Sequence, residues 1–299
     1  MLLVWLLLSA GCRSGASRAA LQPTLAKQHA STFAIDQFDI ELAQLNPDLR
    51  GNKRDAARLA LYAKRWPVVQ RAVAYHATNH RDAFYGSRAY WHNNSSRGIK
   101  WALDFPGDLD ATTNINTKGN LRIAGDANKD IAIAGNAIVH ILGDLDATLE
   151  LKGICEVVIA GNLTQNATII CDGQLELFVA GNSAGILGST ESSTLIIDGS
   201  ATGTIQAGAP ATTLTVTGDL LADVPAPKNK NAVLTLSIEG YTPTANMRRL
   251  ANAGFTRVTA TLGSSDTPPG LYPQGESSTR PAARWVVLNQ RNDDSSKAD

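Results

Sequence analysis

Seven short polar residues recur at nearly even intervals: Asp108, Asp126, Asp144, Asn162, Asn182, Ser200 and Asp219. Each follows a glycine directly. Side chains of this kind do two sorts of chemistry. Clustered oxygens bind calcium, and Asp108, Asp126 and Asp144 are the metal candidates, weakened because Asn and Ser interrupt the acidic run. Short Asp, Asn and Ser side chains also accept hydrogen bonds from nearby backbone N–H groups and tolerate turn dihedrals. A turn ladder through all seven is the expected role. Histidine offers less. His76 and His80 are four apart, with His92 further on; such a pair can face one metal ion, but no carboxylate accompanies it in the HExxH manner. His140 lies between Val139 and Ile141 and is expected to face solvent from a strand.

Carboxylates are the remaining reactive groups. Asp110, Asp146, Glu150, Glu156 and Glu176 stand at outward positions of the pattern below. Cleaving a polysaccharide needs two of them, or calcium and a base, converging in a groove. Aromatic residues that would stack on sugar rings are nearly absent beside them. Cys155 and Cys171 share the parity of the aliphatics Val157 and Ile169 and read as small buried thiols. They fall at different points of adjacent repeats, which makes a bridge between them geometrically doubtful. No catalytic residue, no metal site and no cofactor is assigned, and the expectation is a protein that is not an enzyme.

The elements that position these residues form a repeat. Glycines stand at Gly107, Gly125, Gly143, Gly161, Gly181, Gly199 and Gly218. Four residues before each is an aliphatic: Leu103, Leu121, Val139, Val157, Leu177, Leu195 and Leu214. Two before is another apolar residue, from Phe105 and Ile123 to Val216. Alternation of this kind puts one set of side chains on one face of a strand. A period of six is nested within the period of 18: Leu103, Leu109, Ile115, Leu121, Ala127, Ile133, Val139 and on to Leu175. Three sixes make one coil with three short sides. The fold expected is mainly β: a three-sided parallel β-solenoid of about 18 residues per coil and about seven coils. Coils stack at about 4.8 Å, giving a rod of roughly 30 Å. The two extra residues between Gly161 and Gly181 should bulge from a corner.

The rest of the 299 residues divides around the rod. Residues 1–12 are an apolar leader, 13–35 a flexible tether and 36–100 a helical segment ending in an aromatic loop. In that segment Pro67 is expected to begin a second helix. The solenoid takes 101–240, a strand-helix-strand cap 241–290 and a disordered tail 291–299. Helices on one side and the cap on the other are expected to cover the two exposed ends. The charge is balanced, 27 basic against 27 acidic residues with no sign dominating a long block, whereas a nucleic-acid binder normally shows a basic face, so no nucleic-acid partner is expected.

Two resemblances bear on function. MLLVWLLLSAGC resembles a bacterial lipoprotein signal peptide, with Ser9-Ala10-Gly11-Cys12 as the lipobox. It implies cleavage before Cys12, a diacylglycerol on its sulfur, and a lipid-anchored place at the outer membrane or in the periplasm. Within residues 103–224, the rungs AGDANKDIAIAG and GDLDATLELKGICEVVIAGNL resemble those of bactofilins, polymer-forming cytoskeletal β-helix proteins. The six-residue period is also similar to hexapeptide-repeat acyltransferases, whose catalytic residue is a histidine; the one rung histidine here is His140. The expected function is a non-catalytic envelope lipoprotein, a rigid scaffold with a protein or polysaccharide partner on a solenoid face. A β-helical polysaccharide-binding or polysaccharide-degrading protein is the alternative, and a bactofilin-like filament the second.

Overall fold

A computed structural model describes residues 48–79, 101–228, 231–265, 270–273 and 284–290. Cys12, the tether, His80, His92, the aromatic loop and the C-terminal tail lie outside these residues. Among the described residues the fold is a parallel β-solenoid of about seven 18-residue coils with one helix before it and a strand-helix-strand unit after it.

Strands are numbered along the chain. Face one is built from β1 (Leu103–Phe105), β3 (Leu121–Ile123), β5 (Ala137–Ile141), the second halves of β6 (Thr148–Ile159) and β7 (Thr168–Val179), β9 (Ser193–Ile197) and β11 (Ala211–Val216). Leu103, Leu121, Val139, Val157, Leu177, Leu195 and Leu214 pair in sequence, each above the last. Face two is a column of single bridges running Leu109, Ala127, Leu145, Leu163, Ser183, Ala201, Leu220. Face three comprises β2 (Thr113–Ile115), β4 (Ile131–Ile133), the first halves of β6 and β7, β8 (Ile186–Ser189) and β10 (Thr204–Gln206). The six-residue period is thus three walls of one shaft, and from the second coil upward the inward aliphatics are buried. Each contributes about 1.5–3 kcal/mol by leaving water. The two extra residues are Gln165 and Asn166, which turn at the corner between faces two and three.

Face one does not stop at residue 240. The expected boundary falls inside β12 (Val233–Thr242), which pairs with β11 below and β13 (Arg257–Ser265) above. β13 pairs in turn with β15 (Arg284–Gln290), and β14 (Gly270–Pro273) closes the sheet antiparallel to β15. Above Leu220, helix α2 (Thr244–Asn252; its predecessor α1 is described below) replaces the other two walls. Thr242 Oγ1 and Asn246 Nδ2 both donate to the carbonyl of Leu220, at 3.1 and 3.2 Å. Met247, Leu250 and Phe255 bury themselves in the core beneath. Gly254 follows the helix at φ +90°, a left-handed turn that glycine adopts without a Cβ clash.

The N-terminal end differs from expectation twice. First, α1 is one helix, Asn52–Asn79, with Pro67 inside it. Pro67 and Ala63 are both exposed, so water can reach the carbonyl that lacks its helical partner. Second, α1 lies along the side of the rod. Arg58 meets Asp108 of the first coil and Trp66 meets His140 of the third. Eight helical residues rise about 12 Å, close to the roughly 10 Å of two coil steps. Leu103 stays 37% exposed in the first coil.

Candidate interaction surface

The glycine–polar pair at each corner is a single device. Asp126 N–H donates to Asp108 Oδ1 at 2.8 Å, and Asp144 N–H to Asp126 Oδ1 at 2.9 Å. Asn162, Asn182 and Ser200 continue the series on Asp144, Asn162 and Asn182. Asp219 N–H then meets Ser200 Oγ, and Tyr241 N–H meets Asp219 Oδ1. The preceding glycine is needed because the side-chain oxygen from the coil below occupies the space of a Cβ: Asp108 Oδ1 at Gly125, Asp126 Oδ1 at Gly143, Asp144 Oδ1 at Gly161. Burial raises the Asp126 carboxyl, while the Asp144 N–H opposes that shift. Each Oδ1 of Asp108, Asp126 and Asp144 thus faces a backbone donor that a cation would have to displace. Among the described residues no three His, Cys, Asp or Glu side chains converge on one point.

The ladder has a foot. Arg58 Nη1 and Nη2 reach Asp108 Oδ1 and Oδ2 at 2.8 and 3.1 Å. This fork-on-carboxylate pair fixes the start of α1 at the corner of coil one. Higher up, His140 is buried, contrary to the solvent-facing position expected of it. It does point outward from β5, but its ring lies 4.2 Å from that of Trp66 and 4.9 Å from that of Trp101. Burial, and then the charge of Arg122, lower its pKa to about 3, so it is a neutral ring at pH 7. Arg122 stands 5.5 Å from the Trp101 ring and forks onto Asp104, with Nε to Oδ1 at 2.8 Å and Nη2 to Oδ2. A neutral imidazole buried against two indoles is part of the packing.

Beside it run further outward positions of face one. Val158, Phe178 and Ile196 are buried, as are Leu142, Ala160 and Ala180. Glu156 and Glu176 stack on successive coils. Glu156 is 7% exposed, and its Oε2 has no hydrogen-bond partner among the described residues. Burial, helped by Glu176, pushes Glu156 up to about 8, and burial raises Glu176 to about 6. Of the two expected outward carboxyls that do come together, Glu156 is therefore buried and protonated at neutral pH, and Glu176 is half-buried beside it. The other three, Asp110, Asp146 and Glu150, stand separately on solvated walls. Asn128 Nδ2 donates to Asp110 Oδ1 at 3.1 Å, and Thr164 Oγ1 and Asn166 Nδ2 donate to Asp146 Oδ1.

Faces two and three keep their outward sides open. Ile170 is 49% exposed and Ile186 40%. Their outward side chains are solvated and recur at the coil spacing. No family model, no curated protein and no solved structure matches the chain. Sequence reasoning missed the cover over face one. Its signal was present: the outward residues in VVI, LFV and LII are apolar where a solvated strand would carry polar ones.

Proposed function

We propose that the chain is a non-catalytic scaffold of the bacterial envelope, held by a lipid on Cys12 and presenting faces two and three to a protein or polysaccharide. The observation that carries this reading is the use to which the polar groups are put. The corner carboxylates accept from the next coil's backbone, Asp108 holds α1, and of the stacked Glu156 and Glu176 the first is buried and the second half-buried. Among the described residues that leaves no convergent pair of exposed carboxylates for a sugar. A rigid shaft with two solvated walls remains. The plug of Met247, Leu250 and Phe255 at one end supports a single rod over an end-to-end polymer. The apolar run before Cys12 supports the lipid anchor. No helix among the described residues is long and apolar enough to cross a membrane.

The test is palmitate labelling in cells, with and without Cys12→Ala and with globomycin to block lipoprotein maturation. Label on the wild-type chain that Cys12→Ala abolishes is the expected result. A wild-type chain that takes no label contradicts the anchor. Electron microscopy of the purified chain should show short single rods, and filaments would favour the bactofilin-like role.

A further inference from the structure

Cys155 and Cys171 come together at one corner of the shaft. Cys155 opens the face-one half of β6, opposite Leu175. Cys171 closes the face-three half of β7, opposite Leu151. The two therefore flank the same corner on successive coils, and both point into the core, essentially unexposed. The corner is made of glycine: Gly153 at φ +83° and Gly173 at φ +146°. A Cβ at Gly173 would collide with the Gly153 carbonyl, so a side chain there would force these coils apart. Cys155 Sγ lies 3.4 Å from the Lys152 carbonyl oxygen and Cys171 Sγ 3.8 Å from the next one, that of Gly153. The influence of each thiol on the other pulls the Cys155 thiol down and, together with burial, pushes the Cys171 thiol up. On neighbouring coils the position of Cys171 is filled by Leu151 and Ser189, and that of Cys155 by Ala137 and Leu175. Among the described residues, only at this corner do cysteines meet.

We propose that Cys155 and Cys171 are a disulfide-forming pair that staples two successive coils when the chain folds in contact with a disulfide-class oxidant. The Cys155 thiolate attacks one sulfur of the oxidant RSSR and releases one thiolate. Cys171 then displaces the second, forming the Cys155–Cys171 bond. Two thiols lose two protons and two electrons, and the oxidant leaves as two RSH. Both sulfurs are sealed in the finished core, so exchange takes place on the folding chain. The bond's persistence in cells rests on the export reading, because such bonds last in oxidising compartments. Its formation in a tube does not.

The experiment is refolding of the full-length Cys12→Ser chain from guanidinium, in detergent, with a mixture of reduced and oxidised glutathione. Denaturing alkylation and peptide mass mapping follow. The expected result is a linked Cys155–Cys171 peptide, no alkylation at either residue, and a Tm several degrees above that of the dithiothreitol-treated chain. Cys171→Ala should remove the redox dependence of Tm. Two alkylated cysteines after oxidative refolding overturn the proposal, and so does a bond confined to glutathione adducts. A second arm alkylates the native chain in intact cells. Free thiols there, with a bond formed on refolding, overturn the oxidising compartment and leave the pair standing.

Discussion

The outward side of face one and the outward sides of faces two and three belong to the same coils, yet they obey different rules. On faces two and three the outward residues are solvated: Asn128 reaches Asp110, Asn166 reaches Asp146, and Ile170 stands 49% exposed. On face one, Val158, Phe178 and Ile196 are buried, and His140 and Glu156 are buried with them. One wall is therefore a second core, and two are surface. The difference teaches where a solenoid's function can reside. Substitutions on face one act on stability and on the seat of α1, and substitutions on the open walls act on partners.

The largest contrast is in truncation. Phe178→Ala should cost about 3–5 kcal/mol, the usual range for a fully buried aromatic, read by chemical denaturation. A loss below about 1 kcal/mol would place that residue in water.

A pH effect comes next. Folded Glu156 titrates near 8, above the ordinary glutamate value of 4.5, so the folded chain holds this proton more tightly than the unfolded one. Its contribution is complete below about 4.5 and is lost as pH rises through 8. Glu176, near 6, acts in the same direction over a narrower window. His140, near 3 against 6.5, acts oppositely: its contribution is present above 6.5 and lost as pH falls through 3. Above 6.5 the histidine is silent, so stability should fall between pH 6.5 and 8. Glu156→Gln should flatten that fall, a change of roughly 1–2 kcal/mol over 1.5 pH units. Parallel curves for the two chains would contradict the sealed carboxyl.

The foot of the ladder lies between the two regimes. Arg58→Ala leaves the Asp108 carboxylate half-buried without its partner and should cost about 1–3 kcal/mol. Asp108→Asn in the same chain should recover part of that, which a double-mutant cycle measures. At the small end, Ile170→Ala on face three should stay within about 0.5 kcal/mol. A loss matching that of Phe178→Ala would erase the contrast between the walls.

Much of the rod is legible in the chain. The glycine spacing, the inward columns and the Gln165–Asn166 corner follow from counting, because parallel stacking places like on like. The polar residue after each glycine reads as turn chemistry from its type alone. What lies outside the period is not legible. Leu214, Leu236, Ala260 and Val287 are stacked neighbours at spacings of 22, 24 and 27 residues, so the continuation of face one beyond residue 240 does not show as a repeat. The Arg58–Asp108 pair joins residues 50 apart on elements of different kinds. The burial of His140 depends on Trp66 and Trp101, which no local pattern links to it. The meeting of Cys155 and Cys171 depends on how tightly two glycines close a corner.

Hydroxyl-radical footprinting of the purified chain reads side-chain exposure on both kinds of wall at once. The account predicts that Phe178 and Ile196 are protected while Ile170 and Ile186 are oxidised at rates typical of exposed isoleucines. Oxidation of Phe178 and Ile196 as readily as Ile170 would contradict it.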